Sequence, residues 1–332
     1  MKMIQNMTDD EIDFTKQAIA LTEILRVLNS EETELSYSLL GELSDLSAEE
    51  IKIFDNVWSA LTTERKCEIL SRLDELAKNN VELNFDRIYR NAIYSVDDSV
   101  RRMAVEGLWE STDASLLPPL LRLAKQDPSD EVRSAVATAL GKFAVFAEHQ
   151  QTTEENRHKL AQTLLGIIQD SSEALEVRRR ALEAVSPLSI SAVTQAIREA
   201  YHSGEQAMRI SSVFAMGRNC DQLWTPIVLK EMENEEPAMR YEAATAAGEM
   251  GEMAAVPKLL SLTEDADTEV KLAAISALGK IGGKEAKQKL LSLLTDKSST
   301  VHDVTEQALA EIGAYEVPDS QHMHDYHEPD AN

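Results

Sequence analysis

Cysteine is nearly missing: Cys67 and Cys220 lie far apart and in no metal-ligand spacing, which excludes a disulfide framework and a zinc knuckle. Aromatic residues make up only 5%, and glycine and proline together only 21 positions, too few for a β-rich sandwich. Basic residues are outnumbered, 33 against 58 acids, and the resulting formal charge of −25 repels phosphate backbones, so nucleic acid is not an expected partner. No apolar run of about 18 residues is present to span a bilayer, and Met1 to Asp10 lacks the basic-then-apolar order of a secretory signal, so a cytoplasmic protein without membrane contact is expected.

What the chain has in quantity is apolar side chains, 43% of its residues, with helix-forming neighbours; the expected class is all-α. Its acid is unevenly spread. Residues 1–62 carry 13 acids against 4 bases and the last 18 residues carry 5 acids against none, which would steer a basic partner towards the two ends.

A repeat organises the rest. Arg178, Arg209, Arg240, Lys271 and His302 fall in one column spaced by 31 residues, with Arg133 and Arg101 before them. The step from Arg133 to Arg178 is 45 residues, so about 14 additional residues sit near 144–158, among them His149, Gln150, Glu154 and His158. They are expected to lengthen a helix pair or to form a projecting loop.

Other columns keep the register. Six residues before the column stand Ser95, Asp127, Ser172, Ser203, Asn234, Asp265 and Asp296, side chains able to cap a helix, so the second helix of each pair is predicted to start there. Pro128 and Pro237 follow in the first turn. Small residues come three and six positions after the column, as in Ala243 and Ala246 or Ala274 and Ala277, and Leu108, Leu140, Met216 and Leu278 one position later, a period of 3.6. Gly251, Gly282 and Gly313 lie eleven positions after the column, where a left-handed residue ends a helix. The first helices are predicted at 116–125, 191–201, 223–232, 254–262 and 286–294, with Pro119, Pro226 and Pro257 in one column marking a bend or shifted start.

The pattern Asp-x-x-Val-Arg-x-x-Ala-x-x-Ala-Leu-Gly, read with small spacing differences in Asp130–Gly141 and Asp267–Gly279, resembles HEAT repeats, in particular the short bacterial HEAT-like type also found in phycobilin lyases. The resemblance covers 84–313 closely and 46–80 more loosely. It implies a right-handed α-solenoid (superhelix) of helix pairs whose second helices line a concave face used for partner binding, and each pair needs its neighbours to bury its apolar stripe. The implied layout is amphipathic cap helices in 1–45, a repeat array in 46–313, one divergent plus seven clear repeats, and an acidic His-containing tail in 314–332.

Two residue sets are candidates. Arg101, Arg133, Arg178, Arg209, Arg240 and Lys271 form either a structural ladder to turn carboxylates, as the resemblance implies, or a basic track. As exposed pairs they would contribute ~0–1 kcal/mol each. On a helical wheel with the core at positions −1, +3, +6 and +7 from the column, positions +1, +5 and +8 point the other way. Those hold Ile210, Phe214, Tyr241, Leu272 and, at +8 of the first clear repeat, Trp109, with Glu106, Glu183 and Glu242 beside them. Large apolar groups on a solvent face mark a groove for a peptide or helix; alternatively, they pack between crowded helices, as Gly217, Gly248 and Gly279 at +8 would allow.

Catalytic signatures are missing: there is no phosphate-cradling glycine loop, no G-x-S-x-G, no H-E-x-x-H, and no pair of His-Glu motifs in the repeats like that of HEAT-like iron hydroxylases. No cofactor is expected. His322, His324 and His327 make a weak metal-capture run in the tail. The expected function is a non-enzymatic scaffold or adaptor binding a protein or peptide on the concave face; the alternative is an enzyme of the bilin-lyase or metal-hydroxylase kind.

Overall fold

The computed structural model describes residues 21–30 and 33–316, and every regular element in them is helical. His322, His324 and His327 lie outside the described residues, as do 1–20 of the expected cap and 317–332 of the tail.

Helix α1 covers residues 21–28, and α2 is Tyr37–Gly41. Helix pairs follow: α3 (Ala48–Trp58) with α4 (Thr63–Asn79), α5 (Asp86–Ala92) with α6 (Asp98–Gly107), α7 (Leu117–Gln126) with α8 (Asp130–Glu148), and α9 (Glu154–Gln169) with α10 (Leu175–Val185). Four more complete the chain: α11 (Ser191–Tyr201) with α12 (Gln206–Asn219), α13 (Thr225–Glu231) with α14 (Pro237–Glu249), α15 (Val256–Leu262) with α16 (Thr268–Ile281), and α17 (Lys284–Leu293) with α18 (Ser299–Glu316). The contacts divide the chain into two compact units, Met1–Ala184 and Val185–Asn332.

In each unit the second helices stack on one another, α4, α6 and α8 in the first and α12, α14, α16 and α18 in the second, which makes the fold an all-α solenoid of helix pairs. The additional residues near 144–158 lengthen both α8 and α9, to 19 and 16 residues, and add no projecting loop.

The helix starts differ from the sequence reading by two residues. Ser95, Asp127, Ser203, Asn234, Asp265 and Asp296 do not cap the second helices; each accepts the amide of the residue two further on, as Asp127 Oδ1 does from Ser129 and Asp265 Oδ1 from Asp267 at 3.0 and 2.9 Å. These are side-chain turns that deliver the chain to a cap at Asp97, Ser129, Glu205, Glu236 or Asp267. Ser172 accepts no amide in this way and instead donates its own to Asp170. Pro237 opens α14, whereas Pro128 precedes the cap of α8.

The proline column has a clear geometric meaning. Pro226 and Pro257 are the second residues of α13 and α15, and Pro119 is the third of α7. A 3-10 turn precedes each, capped by Asp221, Glu252 and Asp113, so the shifted start is a passage from 3-10 to α. Eleven positions after the column, Cys220, Gly251 and Gly282 all take positive φ, of 54°, 62° and 71°, while Gly313 lies inside α18.

The described part of the N-terminal segment is fastened to the first pair. Leu21, Ile24, Leu25 and Leu28 of α1 are buried. Arg65 of α4, 6% exposed, donates to the carbonyls of Val27, Leu28, Ser30 and Thr33, in the last turn of α1 and the segment after it, and pairs with Glu68 at 2.7 Å.

Candidate functional site

The column arginines come first because they fix the register of the second helices. Arg101 donates from Nε and Nη2 to both oxygens of Asp127 at 2.7 and 2.8 Å, and from Nη1 to the carbonyls of Ser95 and Val96. Arg240 repeats this in the second unit, on Asp265 at 2.8 Å and on the carbonyls of Asn234 and Glu235. Arg133 makes the same fork with Glu173 and also reaches the Asp127 carbonyl. Each guanidinium thus ties the turn of its own repeat to the turn of the next.

Where the turn lacks an aspartate the tie is rerouted. Asn234 replaces the carboxylate that Arg209 would meet, and Arg209 lies over the Tyr201 ring at 6.0 Å. The Tyr201 hydroxyl donates to Glu231, a carboxylate only 1% exposed, which also accepts from Asn234 at 2.6 Å and Lys230 at 3.1 Å. Arg178 donates to the Ile168 carbonyl at 3.1 Å, and Lys271 contributes at a distance to the field on Asp265. No basic track forms from Arg101, Arg133 and Arg240, whose guanidinium donors are committed to these turns.

Burial revises the expected strength. The Arg101 and Asp127 side chains are 9% and 2% exposed, so this is a buried pair and not a surface one. Burial works against the charge on Asp127, but the Arg101 bonds and the Ser129 amide outweigh it and hold the carboxyl below its usual pKa. The bonds from Arg240 lower Asp265 in the same sense.

The second-helix face differs between the units. In the first unit this face carries ion pairs on α6 and α10, Arg102 with Glu106 and Arg180 with Glu176 and Glu183, and on α8 it carries Ser134, Ala135 and Thr138. In the second unit the same face carries Ile210 and Phe214 of α12, Tyr241 of α14 and Leu272 of α16; Tyr241 is 37% exposed and the other three are half-buried.

Position +8 does not belong to that face. A Cβ placed on Gly217, Gly248 or Gly279 would lie 2.6, 2.9 or 2.7 Å from the Cα of Ala246, Ala277 or Ala308 on the next second helix. These glycines are the points where α12, α14, α16 and α18 touch, and a side chain would force them apart. Trp109, predicted on the same stripe, lies beyond the end of α6 in the following turn, where it is 61% exposed. Its carbonyl accepts from Lys142, whose ammonium also reaches the Leu108 carbonyl; burial pushes that amine down to about 8. Ile210, Phe214, Tyr241 and Leu272 therefore share one face of the second unit, and Trp109 is not on the second-helix face of its own repeat.

Sequence reasoning passed over Arg65, Tyr201, Glu231 and Lys142, because each acts across helices at a spacing that the repeat does not carry. Arg65 stands in α4, within the more loosely matching stretch, which kept it out of the column. Among the described residues no group of three or more His, Cys, Asp or Glu side chains could hold a metal ion, and no helix is long and apolar enough to cross a membrane.

Residues 90–186 and 225–310 match the family described as HEAT repeats. No curated protein matches the chain. Among solved structures, the Kap95:Nup1 complex is similar over 92% of this chain and 48% of its own, with TM-score 0.51 and 13% identity. The complex of CpcE and CpcF of phycocyanin lyase from Nostoc sp. PCC7120 is similar over 85% of this chain and 97% of its own, with TM-score 0.50 and 13% identity. Human deoxyhypusine hydroxylase covers 91% of this chain and 99% of its own at 16% identity, but its TM-score of 0.36 carries no argument. At such identities the likeness concerns the fold alone. The repeat register, the stacked second helices and the family match over more than half of the sequence agree, and the chain belongs to the HEAT-repeat family.

Proposed function

We propose that this protein is a non-enzymatic scaffold or adaptor that holds a polypeptide segment on the second-helix face of its second unit. One observation carries the reading: Ile210, Phe214, Tyr241 and Leu272 recur on one face of three consecutive second helices, in columns where the first unit places Arg102, Glu106, Ser134 and Thr138. Fully hiding one such side chain from water contributes ~1.5–3 kcal/mol, and a partner completes what the fold leaves half done. The two solved complexes named above, Kap95 with Nup1 and CpcE with CpcF, support the reading by analogy of fold.

Affinity purification from the native cell with the wild-type chain and with Phe214→Ala/Tyr241→Ala tests the proposal. Both chains are expected to show the same helical circular dichroism, and the variant to lose a partner that the wild type retains. Identical partner sets on both chains would remove this face from the function. Iron or a coloured ligand in the purified chain would favour the hydroxylase or bilin-lyase alternative.

A further inference from the structure

The charges around the apolar face are sorted by helix. In the second unit most lysines stand on first helices, Lys230 on α13, Lys258 on α15, and Lys284, Lys287 and Lys289 on α17. The bases of the second helices are mostly engaged: Arg240 with Asp265, Arg209 against Tyr201, and Arg218 and Lys280 both on Glu249, at 3.5 and 2.6 Å. Three acids on or next to these helices form no ion pair among the described residues. Glu205 precedes α12, Glu269 stands one turn before Leu272 on α16, and Asp303 of α18 holds the column that Ile210, Tyr241 and Leu272 hold in the three helices before it. All three are exposed.

Exposed carboxylates in no ion pair thus stand at the N-terminal ends of α12 and α16 and on α18, while among the column bases of these helices Arg209 and Lys271 have no carboxylate partner among the described residues. We infer that the occupant of this face is a cationic amphipathic segment, with apolar side chains that meet Phe214 and Tyr241 and Lys or Arg placed to meet Glu205, Glu269 and Asp303; the inference rests on the docking face proposed above. An acidic or neutral segment would leave these carboxylates facing like charge or a desolvating surface, which is how the face discriminates. The net charge also steers encounter, since the chain as a whole carries −25 and attracts a cationic segment.

Panning phage-displayed random peptides against the full chain tests this. Peptides that bind the wild type but not Phe214→Ala/Tyr241→Ala are expected to be enriched in Lys and Arg. The affinity of a selected peptide is expected to fall by about 3- to 30-fold in the triple variant Glu205→Gln/Glu269→Gln/Asp303→Asn, and to fall with salt as the screening length shrinks from ~8 Å at physiological strength to ~3 Å at molar strength. Peptides that depend on Phe214 and Tyr241 but show no basic enrichment would overturn the charge assignment and leave the docking face standing. No peptides with that dependence would overturn both. A dimer of the chain in sedimentation that Phe214→Ala/Tyr241→Ala dissolves would assign the face to a second copy, and would overturn the inference as well.

Discussion

The two units are built on one repeat and finish their second helices differently. In the first, the face opposite the core carries ion pairs within α6 and within α10, such as Arg102–Glu106 and Arg180–Glu183, and small or hydroxyl side chains on α8. In the second, glycines at the helix contacts bring α12 to α18 into close approach, and the adjoining face is apolar and half open. A surface whose charges are mutually satisfied has little left to offer a partner, whereas a half-buried Phe and Tyr have unrealised burial. One fold thus holds a self-sufficient half and a half whose energetics invite completion.

The largest effect is expected at the arginine ties that both units share. Arg101→Ala leaves Asp127 buried without a counter-charge and is expected to cost about 3–5 kcal/mol, read as a lowered midpoint of urea unfolding. Arg240→Ala is expected to cost less, because its side chain is 16% exposed and water can reach Asp265. Equal effects would mean that burial does not set the strength of these ties.

Next in size are the contacts peculiar to the second unit. Gly248→Val places atoms where Ala277 already stands and is expected to cost about 1–3 kcal/mol. Gly166→Ala, in open space on α9 of the first unit, is expected to be neutral or to stabilise by a few tenths up to ~1 kcal/mol. A neutral Gly248→Val would deny the close approach of α14 and α16.

Acid supplies a third test. Asp127 and Asp265 have folded pKa values below the ordinary 3.8, so their contribution is fully present above the unfolded value and is lost as pH falls through the folded one. The wild type is expected to lose stability steeply below about pH 4, and Arg240→Met to show a shallower loss there, measured by unfolding at successive acid pH values. An unchanged slope would mean that Arg240 does not hold Asp265 ionised.

The smallest expected change is in stability at the face itself. Tyr241→Ala is expected to lower stability by about 1 kcal/mol, since the side chain is 37% exposed and only its buried part is lost. A larger loss would assign Tyr241 to the core and weaken the contrast between the units.

Much of this was legible in the sequence. The 31-residue column located every second helix from α12 to α18, and the wheel brought Ile210, Phe214, Tyr241 and Leu272 to one face, because periodicity reports direction around a helix. Distance between helices is not periodic. The wheel therefore put +8 on the open face, whereas the glycines there mark contact, and it carried Trp109 onto a stripe that α6 is too short to reach. The two-residue offset of the caps was hidden for a similar reason: an Asp that closes a turn and an Asp that caps a helix have the same side chain. Arg65 and Glu231 take their roles from partners in other helices, which no local pattern announces.

Whether the face of the second unit is the working surface is decided by placing a photo-crosslinking amino acid at position 241 and, in a separate chain, at position 134, the same column of the first unit. Irradiation in the native cell is expected to give a discrete polypeptide adduct from position 241 and none from position 134. Adducts from both positions alike, or from 134 alone, would contradict that role.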